Sequence, residues 1–298
     1  MINVIKYRWV FLGISAILIA LSIFALTNFG LKEGIDFTGG SLWQLKVNAT
    51  PTEISNFFEN DLKLPLSSIS HDESTGVYSL AFRDITDAER NSAMDLIKKE
   101  FGEDVEEVDF WTVSPSVSAE TKNKAFTAIG LVVLGISLFI AYAFRKVSRP
   151  VSSWKYGAIT LLTLVHNVVI PAGAYALMSH YMGISIDTNF VVALLVVMGF
   201  SVHDTIVVFD RIRENITKAR SVNLNEIINK SVSETIRRSI NTSLTLIIVL
   251  LTLYFLGPLS LKYFVLTIVI GTTVGAYSSI FVASPLLGLA QGKKSSNR

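Results

Sequence analysis

Six stretches of this chain are apolar over about 18 or more residues, the length that carries a helix across roughly 30 Å of hydrocarbon at 1.5 Å per residue. They run from Trp9 to Phe29, Ala125 to Phe144, Tyr156 to Met178, Phe190 to Phe209, Ser239 to Leu256 and Phe264 to Leu289. Half of the residues are hydrophobic and the mean hydropathy is +0.49, above what a soluble domain with a polar coat carries. The expected fold class is therefore an α-helical membrane protein with six transmembrane helices. The first stretch is too long for a removed signal peptide, and no small-x-small cleavage site follows it.

Charge placement sets the expected orientation. Residues 30–121, between the first two stretches, hold seven Lys/Arg against eighteen Asp/Glu. The loop after the second stretch carries Arg145, Lys146, Arg149 and Lys155 with no acid, and residues 210–238 hold seven bases and four acids. Basic loops stay inside, so the acidic segment is expected outside the membrane and both basic ones in the cytoplasm. Both termini, with Lys6 and Arg8 at one end and Lys293, Lys294 and Arg298 at the other, fall on the cytoplasmic side, as six crossings require.

The acidic segment is long enough for a small domain. Strand patterns cover Ser41 to Val47, Ser67 to His71, Val77 to Phe82 and Val105 to Val113, with a turn at Ser74-Thr75-Gly76. Helical patterns cover Thr52 to Asp61 and Asp84 to Phe101, the second closed by Gly102. The order β-α-β-β-α-β is that of the ferredoxin-like split fold, an extracytoplasmic α+β domain. The division expected is 1–29 for the amino terminus and first span, 30–121 for the outer domain, 122–290 for a five-helix bundle and 291–298 for a tail. Within the bundle, Ile212, Ile216, Leu224, Ile227, Ile228 and Val232 alternate with charges, so 211–237 is expected to be an amphipathic helix at the inner surface.

Ionisable residues within apolar spans are expensive, by about 2.5–3.5 kcal/mol on insertion scales, and so point to function. His203 and Asp204 lie in the fourth span, and Asp204 is the foremost candidate. Were that helix to end early, Asp204 would be merely interfacial. Arg238 stands at the mouth of the fifth span at a matching depth, either as a partner for that acid or as an ordinary inner-leaflet cation. A carboxylate and a guanidinium there form a pair whose making and breaking shifts the acid's proton affinity. His166 and Asn167 fall near the middle of the third span, where a polar pair also serves simply as an interhelical hydrogen bond. Asp210, Arg211, Arg213 and Glu214 read as a solvated, salt-bridged face. Gly271, Gly275, Ser279 and Ala283 place small residues on one face of the sixth span, which suits close helix packing.

The chain has no cysteine, which excludes disulfides, thiolate metal sites and thiol nucleophiles. No Walker motif, His-Glu-x-x-His, Gly-x-Ser-x-Gly or nucleotide fingerprint is present. No catalytic residue, metal site or organic cofactor is assigned, and no enzyme activity or nucleic-acid partner is expected.

Three segments resemble the SecF family of export proteins, a branch of the resistance-nodulation-division transporters. They are Gly34-Ile35-Asp36-Phe37-Thr38-Gly39-Gly40, the run from Gly199 through His203-Asp204-Thr205 to Asn215, and Ser233-Glu234-Thr235-Ile236-Arg237-Arg238-Ser239-Ile240-Asn241-Thr242-Ser243. The resemblance implies that Asp204 and Arg238 are the intramembrane acid and base of proton coupling, with protons as the coupling ion. His203, His166 and Asn167 are possible supporting polar groups, and Gly34, Asp36, Gly39 and Gly40 form the motif outside the first span. It also implies SecD and the SecYEG channel as partners, with translocating polypeptide and membrane lipid as further contacts, in the cytoplasmic membrane. One departure stands out: many relatives have His-Asp where this chain has His166-Asn167. Two other readings stay open, half of a proton-coupled lipid or small-molecule exporter and a passive membrane scaffold.

In a chain without cysteine, Ser74→Cys should be labelled by an impermeant thiol reagent in intact cells or spheroplasts. Labelling seen only after lysis would reverse the orientation.

Overall fold

The computed structural model describes residues 3–72, 75–83, 85–145, 151–219 and 223–291. Ser74, Asp84, Lys146, Arg149 and the tail residues Lys293, Lys294 and Arg298, used above for the turn, a helix start and the orientation, lie outside the described residues. In chain order the elements are α1 (Arg8–Asn28), a one-turn α2 (Ile35–Thr38), β1 (Gly40–Lys46), α3 (Pro51–Asn56, widening into a π-turn at Phe57–Asp61), β2 (Leu66–Asp72), β3 (Val77–Phe82), α4 (Asp87–Phe101) and β4 (Glu106–Val113). Then come α5 (Pro115–Ala143), α6 (Ser153–Met182), α7 (Thr188–Lys218), α8 (Leu224–Leu256), α9 (Lys262–Ser278, led by a 3-10 turn and followed by a π-turn at Ser279–Ala283) and α10 (Ser284–Leu289). Among the described residues six helical segments are long and apolar enough to cross a membrane: α1, α5, α6, α7, α8 and the compound stretch Leu259–Leu289. Each contains nearly all of the apolar stretch read from the sequence.

The chain divides into two compact units. One comprises Phe29–Thr127 with Ala176–Thr188, so the sheet-bearing domain includes the end of α6 and the turn into α7 as well as the expected residues 30–121. Its four strands are ordered β2-β3-β1-β4, every pair antiparallel, which is the βαββαβ arrangement expected. Trp43 and Leu45 of β1 share one face of the sheet with Tyr78, Leu80 and Phe82 of β3. They pack with Ile54, Phe58, Ala93 and Ile97 of the helical segments into one core.

Helix starts in this domain are set by capping boxes. Thr50 accepts from the backbone of Glu53 while the Glu53 carboxylate takes the Thr50 N–H, and Thr86 and Glu89 repeat the device. Those N–H and hydroxyl donors hold the Glu53 and Glu89 carboxyls below the usual range. The second box moves the start of α4 to Asp87, three residues after the start read from periodicity.

The other unit comprises Met1–Asn28, Ala128–Tyr175 and Asn189–Arg298. Its core gathers Ile140, Phe144, Tyr156, Leu164, Met198, Val202, Val208, Phe209 and Ile212. One expectation is corrected. Residues 211–237 are not a single helix on a membrane surface: α7 runs on to Lys218 and α8 begins at Leu224. Ile212, Leu224, Ile227, Ile228 and Val232 are buried in the bundle core, so the amphipathic face packs on protein rather than on lipid.

Phe58 is 1% exposed and meets Trp43, Phe57 and Phe82 ring to ring. Phe58→Ala should destabilise the α+β domain by about 3–5 kcal/mol. In limited proteolysis of the purified full chain, cleavage between residues 40 and 113 should speed up while the helical segments stay intact.

Candidate functional site

The inward face of α7 repeats at helical spacing: Val197, Ser201, Asp204, Thr205, Val208 and Ile212 are all buried. The apolar members fix the helix against the core, and that packing carries Asp204 inside with them at 3% exposure. The alternative of an early helix end is removed, because α7 continues fourteen residues beyond Asp204. Its Oδ2 has no hydrogen-bond partner among the described residues. On α8, Thr235, Ser239 and Ser243 recur every four residues and are all buried, and Thr235 lines one cavity with Val207 of α7. Ser243 of α8 lies near the carboxylate, and His203 and Arg238 are the cationic side chains around it. The Ser239 and Ser243 hydroxyls are likewise unpartnered among the described residues. A carboxylate in such a place is costly when ionised and alone, so its charge state is tied to what surrounds it.

Arg238 is exposed and makes no ion pair within 4.0 Å with any described acid. It lines a polar cavity of about 260 Å³ with Val207, Asp210, Arg211, Glu214, Glu234 and Thr235. Val207 is three residues past Asp204 on α7, and Thr235 is one turn before Ser239 on α8. The structure thus places Asp204 and Arg238 along one seam between α7 and α8 but does not pair them. His203 is exposed and does not face inward with its neighbour.

The charged end of α7 is salt-bridged within the helix by Arg213–Asp210 at 3.1 Å and Arg211–Glu214 at 2.6 Å. What the sequence did not disclose is the lock across to α8: Arg211 also reaches Glu234 at 2.7 Å, and Asn215 donates to both Ser231 and Glu234. Glu234 lies within the third motif, one turn before Arg238, which was the available signal.

His166 and Asn167 of α6 are both buried. His166 Nδ1 and Asn167 Oδ1 are 2.8 Å apart, and the Asn167 amide donates to Ser201 Oγ, one turn before Asp204. The polar pair of the third span is therefore wired to the helix of the acid. Gly275 of α9 lies beside this contact: a Cβ there would lie 3.6 Å from Ser201 and 4.0 Å from the Asn167 amide, ordinary packing distances. At Gly271 a Cβ would overlap Val197, so the small face of α9 packs directly on α7. Gly34, Asp36, Gly39 and Gly40 belong to the other unit, around the start of β1. Among the described residues no group of three or more His, Cys, Asp or Glu is placed to hold a metal.

Six spans, a βαββαβ domain inserted after the first, and an acid buried in the fourth define a multi-pass membrane protein with an ionisable group inside its bundle, a hallmark of ion-coupled transport proteins. Residues 93–293 match the family model "Protein export membrane protein SecD/SecF, C-terminal", and residues 24–50 match the "SecD/SecF GG Motif". The protein translocase subunit SecF of Thermobaculum terrenum is 39% identical over 96% of this chain and 93% of its own length. That of Anaerolinea thermophila is 32% identical over the same shares. A crystal structure of SecDF, a translocon-associated membrane protein from Thermus thermophilus, superposes with a TM-score of 0.83 at 30% identity, covering 96% of this chain. SecDF in a super-membrane-facing form gives 0.68 at 28% identity and 97% coverage. This chain spans only 38% of either SecDF chain. It belongs to the SecD/SecF family of protein-export membrane proteins, on the SecF side.

Replacing Asn167 with alanine removes the partner of both His166 Nδ1 and Ser201 Oγ in a dry interior. Asn167→Ala should cost about 1–3 kcal/mol for each group left unpaired, read as a lower unfolding temperature of the full chain in detergent.

Proposed function

We propose that this chain is the SecF-type subunit of the protein-export machinery and that, with a SecD-type partner beside the SecYEG channel, it uses the proton gradient to promote late steps of polypeptide translocation. The α+β domain stands outside the cytoplasmic membrane in this reading and both termini inside, from the acidic balance of 30–121 and the basic inner loops. The observation that carries the proposal is Asp204, buried on the bundle face of a span, with one oxygen unpartnered among the described residues and Arg238 within electrostatic reach. Protonation removes the charge that is costly there. Approach of the Arg238 guanidinium compensates it instead. These are two ways of settling one buried carboxylate, and each favours a different arrangement of α7 against α8. Proton entry from one side and release to the other then drive the helices through both arrangements.

Partner surfaces support the same reading. In α5 only 6% of the most apolar window is buried by the chain itself, and in α1 and α8 17%, against 56% in α6. So much bare apolar surface must be covered by lipid or by another polypeptide. The match covers 38% of the SecDF chain, and a SecD-type part like the remainder of that chain is the partner proposed for these bare helices.

Asp204→Asn keeps size and hydrogen bonding while abolishing titration. It should leave the chain inserted yet remove proton-driven stimulation of export in inverted vesicles. Arg238→Met should be as defective, and the double mutant little worse than either, since both changes remove one coupled function. Full proton-driven export in Asp204→Asn would remove the coupling role, and additive losses would show two independent contributions.

A further inference from the structure

We infer that Asp36 is a positioning residue that pins the α+β domain to the start of α7, so that the domain and the α6–α7 turn move as one piece. The segment leaving α1 runs beside that turn as a short parallel bridge between Glu33 and Ile186. The Ile186 N–H donates to Lys32 O at 2.7 Å, and the Gly34 N–H to Ile186 O at 2.9 Å. A Cβ at Gly34 would lie 2.8 Å from that carbonyl, so only glycine lets the two backbones approach this closely. One turn of α2 then aims the Asp36 carboxylate at the N–H of Thr188, the first residue of α7, with Oδ2 accepting at 2.8 Å. The opening turn of α7 has no acid of its own, and Asp187 stands next to it at the cap position. Asp36 supplies from a distant part of the chain an acceptor for one of the N–H groups that a helix start leaves unpaired.

The same few residues hold the remaining connections of this unit. Glu33 pairs with Lys122 of α5 at 2.6 Å, and the Lys32 N–H reaches Ser179 Oγ of α6 at 3.4 Å. Gly40, at φ +121, enters β1 so close to the Phe82 carbonyl that no side chain fits. The motif is thus a junction at which the exit from α1, the first strand, the start of α5, the end of α6 and the start of α7 meet. It matters for mechanism because α7 carries Asp204 sixteen residues further on. Given the proton-driven role proposed above, on which only the activity readout rests, Asp36 is where displacement of that helix is handed to the domain.

The test uses the full chain in its membrane with its export partners. In Asp36→Ala, proton-driven export should be lost while the chain remains inserted and partner-bound. In Asp36→Asn it should be largely retained, because the amide oxygen still accepts the Thr188 N–H. Equal loss in both variants would mean that the charge or a proton on Asp36 matters rather than the pin, and would overturn the inference. Glu33→Cys with Ile186→Cys places two thiols on directly bridged backbones, the neighbourhood that a disulfide can span. Oxidation should leave export intact and should restore it to the Asp36→Ala chain, since a covalent link replaces the pin. Loss of export on oxidation, recovered on reduction, would show that the junction must open in each cycle and refute the inference. Asp204→Asn in the same assay keeps the two readings apart: if that variant exports normally, the proton reading fails, while the disulfide rescue still reports on the pin.

Discussion

Hydrocarbon offers no water to a backbone or a charge, and most of this structure follows from that. Six helices satisfy their own peptide groups, which is why the spans could be counted before any coordinate was known. The same constraint sorts side chains by face. Apolar residues need no shelter, so α5 leaves nearly all of its surface bare, whereas Asn167, Ser201, Asp204 and Ser243 are turned inward. Polar groups in such a bundle mark its inside as surely as leucines mark the inside of a soluble domain.

That inside is a polar seam held by small residues. Gly271 and Gly275 bring α9 against Val197 and Ser201 of α7, and the Asn167 amide closes the gap from α6. On the α8 side Thr235, Ser239 and Ser243 are buried one turn apart, and Thr235 lines the cavity that Arg238 borders. Helices packed through small residues and hydroxyls have few interlocking knobs, and hydrogen bonds between membrane helices are worth only about 0.6 kcal/mol on average. A seam of this composition gives up little when one helix shifts against its neighbour. The Arg211–Glu234 and Asn215–Glu234 contacts hold the far end of the same two helices together.

The sequence disclosed what periodicity and cost can disclose. Apolar length revealed the spans, alternation revealed the strands of the sheet, and the expense of a buried acid singled out Asp204. It was weaker where the signal lies in a cap or a tertiary contact. Thr86 as a cap is visible only with Glu89 in view, so α4 was begun too early. The alternation of charge and Ile between 211 and 237 looks the same whether the apolar face meets lipid or protein; the burial of Ile212, Ile228 and Val232 in a core decides it. Nothing in the Gly34–Gly40 motif says that Asp36 reaches a residue 152 positions away, because no local pattern records a distant N–H.

Asp204 and Arg238 stand apart here, and for a coupling pair that separation is informative. An ion pair formed in every arrangement would hold the acid ionised throughout and could not exchange its proton with the cycle. One formed in none would leave the base without a role. The observed arrangement has the carboxylate buried in the bundle, while the guanidinium sits at the rim of a polar cavity with Glu234 and Asp210. Within the proposed mechanism this corresponds to the half of the cycle in which protonation rather than pairing settles the buried acid. The other half requires the Arg238 side chain to leave that cavity and turn toward Asp204. An exposed, flexible arginine can make that swing while its helix stays in register, so the coupling asks for a side-chain rearrangement and a small slip of α7 on α8, not for refolding.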